Sequence, residues 1–165
     1  MELQKHIKAL QKPWQEIIQK YIILAKELDG ILLQLTRTYC AHCPRNAEYG
    51  CCDFAEEATR GLPEEIVHLQ RIECIDNGGT LTSRNGICPY HTPKGCSLVL
   101  LKSPSCFGQI CQDLRDDLCQ RFGNQAQPFI DSMRIFGHSS MKNNPNEMIN
   151  NLNKAVEEGK NLIRM

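Results

Sequence analysis

The sequence predicts a mainly α protein: a small helical bundle from long terminal helices, with a loop-rich cysteine-cluster region between them. Three observations predict it. Apolar residues recur at three- and four-residue steps from Trp14 to Leu35 and again from Met148 to Ile163. All ten cysteines fall between Cys40 and Cys119. Prolines, glycines and asparagines interrupt most of the chain between those limits.

The chain divides accordingly into an N-terminal helical segment, residues 1–38, a cysteine-cluster region, 39–123, and a C-terminal helical segment, 124–165. With 165 residues they are expected to form one compact domain, large enough to bury a core without disulfide staples. Lysine plus arginine equals aspartate plus glutamate at 19 each. That balance argues against nucleic-acid or anionic-membrane binding, which needs a basic surface.

A short helix is expected over residues 3–11, stopping before Pro13. Pro13 then suits the first turn of a helix running to about Arg37. Its apolar face is Trp14, Ile17, Ile18, Tyr21, Leu24, Ala25, Leu28, Ile31, Leu32 and Leu35. The spacing fits a core helix of a bundle; it also fits a coiled coil joining two copies or a partner protein. Gly30 interrupts the run and allows a bend. Residues 39–53 read as a cysteine loop, and Phe54–Arg60 as a helical turn. A better helix begins at Leu62-Pro63-Glu64-Glu65 and ends at Asn77-Gly78-Gly79. Asn85-Gly86 predicts a hairpin flanked by Thr80-Leu81-Thr82 and Ile87-Cys88. Ser103 is a candidate N-cap, with Pro104 at the first helical position. The helix after it carries Phe107, Ile110, Cys111, Leu114, Leu118 and Phe122 on one face, to a C-cap at Gly123. Helices are also expected over Pro128–Phe136 and from Pro145 onward. In the last, Leu152 and Val156 should be buried together with Leu24, Leu28 and Leu32, either against each other or in a dimer.

Residues 1–14 hold Glu2, Lys5, His6, Lys8 and Lys12, unlike the apolar core of a signal peptide. The longest apolar run, Tyr21 to Ala25, is too short to span a bilayer. The expectation is a cytoplasmic protein, with no membrane partner, whose thiols stay reduced. Clustered cysteines there are metal ligands more often than disulfides.

Cys40-x-x-Cys43 is the knuckle of zinc sites and of ferredoxin-type clusters. The Cys51-Cys52 doublet needs a sharp turn, which Gly50 permits, or two metals. Cys88 and Cys96 sit beside glycines that let backbone bend around an ion. Cys106 falls in a first helical turn, where the dipole favours thiolate, and Cys111 follows it. Cys119, beside Leu118, reads as a small packed hydrophobe. For Cys74, packing and ligation both stay open. His42 and His91 are alternative ligands or supporting groups, and His6, His68 and His138 read as surface.

The order of these features resembles the YkgJ-type cysteine-cluster family of zinc- or iron-chelating proteins. The match runs from Cys40-x-x-Cys43 and Cys51-Cys52, through Cys88-Pro89-Tyr90 and Gly95-Cys96-Ser97-Leu98, to Ser103-Pro104-x-Cys106 and Cys111. It departs in having Ser103 and Phe107 where that family carries arginine. The resemblance implies Cys40, Cys43, Cys51, Cys52, Cys88, Cys96, Cys106 and Cys111 as metal ligands. Eight thiolates suffice for two four-coordinate centres. Cys43-Pro44 and Cys88-Pro89 tilt the reading slightly toward an iron–sulfur cluster (4Fe-4S) over Zn2+. A structural, regulatory or redox role is expected, electron transfer or redox sensing being the alternative. No phosphate loop, dinucleotide fingerprint or catalytic triad pattern is present, so an enzymatic role would have to come from the metal site itself.

Overall fold

The computed structural model describes residues 2–40, 55–81, 88–92 and 95–165, and is mainly helical. Helix α1 spans Glu2–Ala9 and α2 Lys12–Cys40. A 3-10 turn, Ala55–Ala58, precedes α3, Glu64–Asp76. Strands β1, His91–Thr92, and β2, Gly95–Cys96, pair antiparallel, with His91 opposite Cys96. Then come α4, Pro104–Gly108; α5, Gln112–Phe122; a 3-10 turn, Gly123–Ala126; α6, Gln127–Gly137; and α7, Pro145–Ile163.

Helices α2, α6 and α7 form the body of the main core. Along α2 the buried residues are Ile18, Tyr21, Ala25, Leu28, Ile31 and Leu35, and α7 answers with Met148, Leu152, Ala155, Val156, Gly159 and Leu162. Leu28, Leu152 and Val156 are fully buried, while Leu24 and Leu32 are half-buried against the same core. Packing within one chain thus covers the stripe on α2. A Cβ at Gly159 would lie 2.7 Å from Ile31 Cγ2 and 3.0 Å from Phe129, so the two helices approach closely because that side chain is missing. Helix α2 continues through Gly30, which points into open space. Asn144 caps α7 by accepting from the Glu147 N–H at 3.1 Å, as its Asn-Pro start favours.

Helix α1 is fixed at its head by Asp76, whose Oδ2 accepts from the Leu3 N–H at 3.0 Å. Helix α3 ends in a Schellman motif. The Gly78 N–H reaches the Ile75 carbonyl at 2.9 Å, the Gly79 N–H reaches that of Cys74 at 2.8 Å, and Gly78 takes φ +73°.

Two expectations are corrected. The helix expected from Pro104 to Phe122 is two helices. Gln109, at φ −72° and ψ 69°, makes an inverse γ-turn closed by the Ile110 N–H on the Gly108 carbonyl at 2.8 Å, and Cys111 becomes the N-cap of α5. The break follows a close contact: a Cβ on Gly108 would sit 2.5 Å from Gly137 Cα, so α4 is pressed backbone-to-backbone onto α6. The second correction concerns the hairpin. Thr80, Leu81 and Cys88 are not in strands, and the observed pair is β1–β2. Asn85-Gly86 itself lies outside the described residues.

Candidate functional site

The inner face of α3 carries polar residues beside the buried Ile66 and Leu69. Gln70, Glu73, Cys74 and Asn77 fall three, four and seven residues apart, which aligns them on one side of a helix. Gln70, Glu73 and Cys74 are all at most 2% exposed. Their partners lie in the irregular segments that carry the later cysteines. Gln70 Nε2 donates to the carbonyls of Ala58, 2.9 Å, and Leu101, 2.7 Å, and its Oε1 accepts from the Tyr90 hydroxyl at 3.3 Å. Asn77 Nδ2 donates to the Ser97 carbonyl at 2.7 Å.

Glu73 does the most. Its Oε1 accepts from the N–H groups of Val99, 2.8 Å, and Leu100, 2.6 Å, and its Oε2 from that of Leu101, 2.9 Å. Three consecutive backbone donors of an irregular, part-buried segment are thereby satisfied by one side chain. Burial raises the Glu73 pKa, and the three N–H bonds oppose that rise.

Around this frame lies a second, smaller apolar cluster of Ala58, Cys74, Cys88, Tyr90 and Leu98, with Cys106 packed against it. Cys88 precedes β1, Cys96 ends β2, and Cys106 sits in the first turn of α4. The thiols of Cys88, Cys96 and Cys106 lie within electrostatic reach of one another, and Cys74 within reach of Cys88. Cys74 Sγ accepts from Ser97 Oγ at 3.1 Å. Ser103 accepts from the Cys106 N–H at 3.1 Å and donates its hydroxyl to the Glu57 carbonyl at 2.5 Å, which anchors α4 beside the cluster. Tyr21 and Lys102 tie the same region to α2: the Tyr21 hydroxyl donates to the Lys102 carbonyl, and Lys102 Nζ pairs with Asp29.

Burial pushes the Cys88 and Cys106 thiols up. It was expected that the helix dipole would lower Cys106. Instead burial outweighs the Ser103 hydrogen bond, and a five-residue helix has little dipole to offer. Cys96 keeps an exposed surface, yet the protein packed about its thiol pushes it up to about 11. Tyr90, buried beside them, is pushed up to about 12. In the absence of a cation these thiols favour the protonated form, so metal binding here would release protons.

Of the eight cysteines named from sequence, Cys88 and Cys106 meet in the smaller cluster, and Cys96 lies within electrostatic reach of both. Cys111 does not join them; it packs against the main core at the head of α5. Cys40 ends α2, with its side chain outside the described residues. Cys43, Cys51 and Cys52, together with His42, lie outside them altogether. Cys119 is corrected: it is exposed on α5, because Leu118 takes the inward position. Cys74 is fully buried in the cluster. Among the described residues no three His, Cys, Asp or Glu side chains are placed to hold one metal ion. Gln70, Glu73 and Tyr90 went unrecognised in the sequence, although the spacing of polar residues on α3 marks that face.

Among the described residues no helix is long and apolar enough to cross a membrane. Comparison with family models, curated proteins and solved structures finds no match to this chain.

Proposed function

We propose that this chain binds metal through clustered cysteine thiolates, as an iron–sulfur cluster or as zinc, in a structural, regulatory or redox role. The supporting observation is the gathering of Cys88, Cys96 and Cys106, with Cys74 beside them, from separate segments held by one polar helix face. Thiolate donors of this kind suit zinc and iron–sulfur centres. The remaining ligands would come from Cys40, Cys43, Cys51 and Cys52, which precede the cluster in the chain as in the YkgJ-type pattern. Glu73 and Gln70 would hold the ligand-bearing segments in place, and Tyr90 and Leu98 would keep water from the sulfurs.

The test is elemental analysis with an absorption spectrum on protein purified without oxygen. At least one equivalent of iron or zinc per chain is expected, iron with a visible band that bleaches on reduction. Cys43→Ala and Cys88→Ala should lose the metal, and Cys119→Ala should keep it. Metal-free protein, or full occupancy in Cys43→Ala and Cys88→Ala, would overturn the reading.

A further inference from the structure

Where α4 meets α6, a cleft of about 200 Å³ is lined by three arginines from separate parts of the chain. Arg60 follows the first 3-10 turn, Arg115 lies on α5 and Arg134 on α6; His138 also lines it. Gly108 and Gly137, whose backbones touch where α4 meets α6, also line it. In a chain of zero net charge, this convergence of cations is unusual.

We propose that this cleft binds a phosphate group, as free phosphate or a phosphate monoester. Among the described residues the one carboxylate lining it is Glu57, which pairs with Arg60 at 2.8 Å. Among the described residues the Arg134 side chain has one ion pair, a long contact of 3.8 Å to Asp131 outside the cleft. Arg115 donates Nε to the Ile110 carbonyl at 3.0 Å, which fixes its planar head and leaves its terminal nitrogens to other acceptors. The last carbonyls of α6, which would repel an anion if bare, carry hydrogen bonds: the His138 and Ser139 N–H groups donate to the Arg134 and Phe136 carbonyls, and Ser105 Oγ to that of Gly137. What faces the cleft is a set of guanidinium donors whose fork geometry matches phosphate oxygens.

None of the residues lining the cleft is among the proposed thiol ligands, so the test has a readout other than bound metal. Calorimetric titration of the full chain, at ionic strength fixed with chloride, would use inorganic phosphate, phosphoserine and citrate. Saturable binding of phosphate or phosphoserine is expected, weakened about tenfold in Arg134→Gln and in Arg115→Gln. Whichever of the two binds more tightly identifies the source of the group. Arg134 is largely exposed, so its variant keeps the fold, and an unchanged melting temperature checks this. No saturable heat with either phosphate compound, a preference for citrate, or equal affinity in a folded Arg134→Gln would overturn the proposal.

Discussion

Gly79 lies directly on Cys74. Its N–H holds the Cys74 carbonyl at 2.8 Å, and a Cβ in its place would come 2.7 Å from Cys74 Sγ and 2.9 Å from the Ser97 Cβ. Sulfur and serine are both buried and bonded to each other, so neither can move aside cheaply. Gly79→Ala is therefore expected to cost about 1–3 kcal/mol, as overpacking does. Urea unfolding measures it, and a variant as stable as wild type would show that the contact relaxes freely.

Glu73→Gln keeps the shape of the side chain but turns one acceptor into a donor facing a backbone N–H. A loss of about 1–3 kcal/mol is expected. The effect should depend on pH. Because burial raises its pKa, folded Glu73 holds its proton more tightly than the unfolded chain does. That contribution is fully present below the ordinary carboxyl range and is lost as pH rises through the folded value. Glutamine does not titrate. The stability gap between wild type and variant should accordingly be widest in acid and narrower at neutral pH; a gap that widens with pH would reverse the assignment.

Leu28 is fully buried between α2 and its neighbours. Leu28→Ala should cost about 2–5 kcal/mol, and Leu28→Asp should prevent folding. Thermal melts followed by circular dichroism report both. An aspartate variant melting like wild type would remove α2 from the core.

The thiols should differ in reactivity by exposure. In metal-free, reduced protein, Cys119 should be alkylated well before Cys74, which waits for local opening. Mass spectrometry of a timed iodoacetamide reaction reads the order.

The bundle was legible in the sequence wherever an apolar stripe pairs with a cap. Ser103-Pro104, Pro145 and Asn77-Gly78-Gly79 each mark an end that the structure keeps. The helix from Pro104 was misjudged because its apolar spacing continues across Gln109–Cys111, while the bend arises from a contact with Gly137 far along the chain. Helix α3 was legible as a helix but not as a frame. Its inner face is built from Gln70 and Glu73, whose burial depends on donors and acceptors in segments that show no regular pattern. The cysteines were conspicuous, yet only the fold separates Cys88, Cys96 and Cys106 from the outlying Cys111 and Cys119.

The carboxylate of Glu73 also sets a timescale. Val99 is 47% exposed and belongs to no helix or strand, so its amide would ordinarily exchange with solvent almost at once. Bound to Glu73, the amides of Val99, Leu100 and Leu101 can exchange only when α3 lets go. An irregular stretch thereby acquires the persistence of the helix it leans on, and the backbone on either side, from Cys96 to Cys106, inherits a fixed point that does not tire when the surface around it moves.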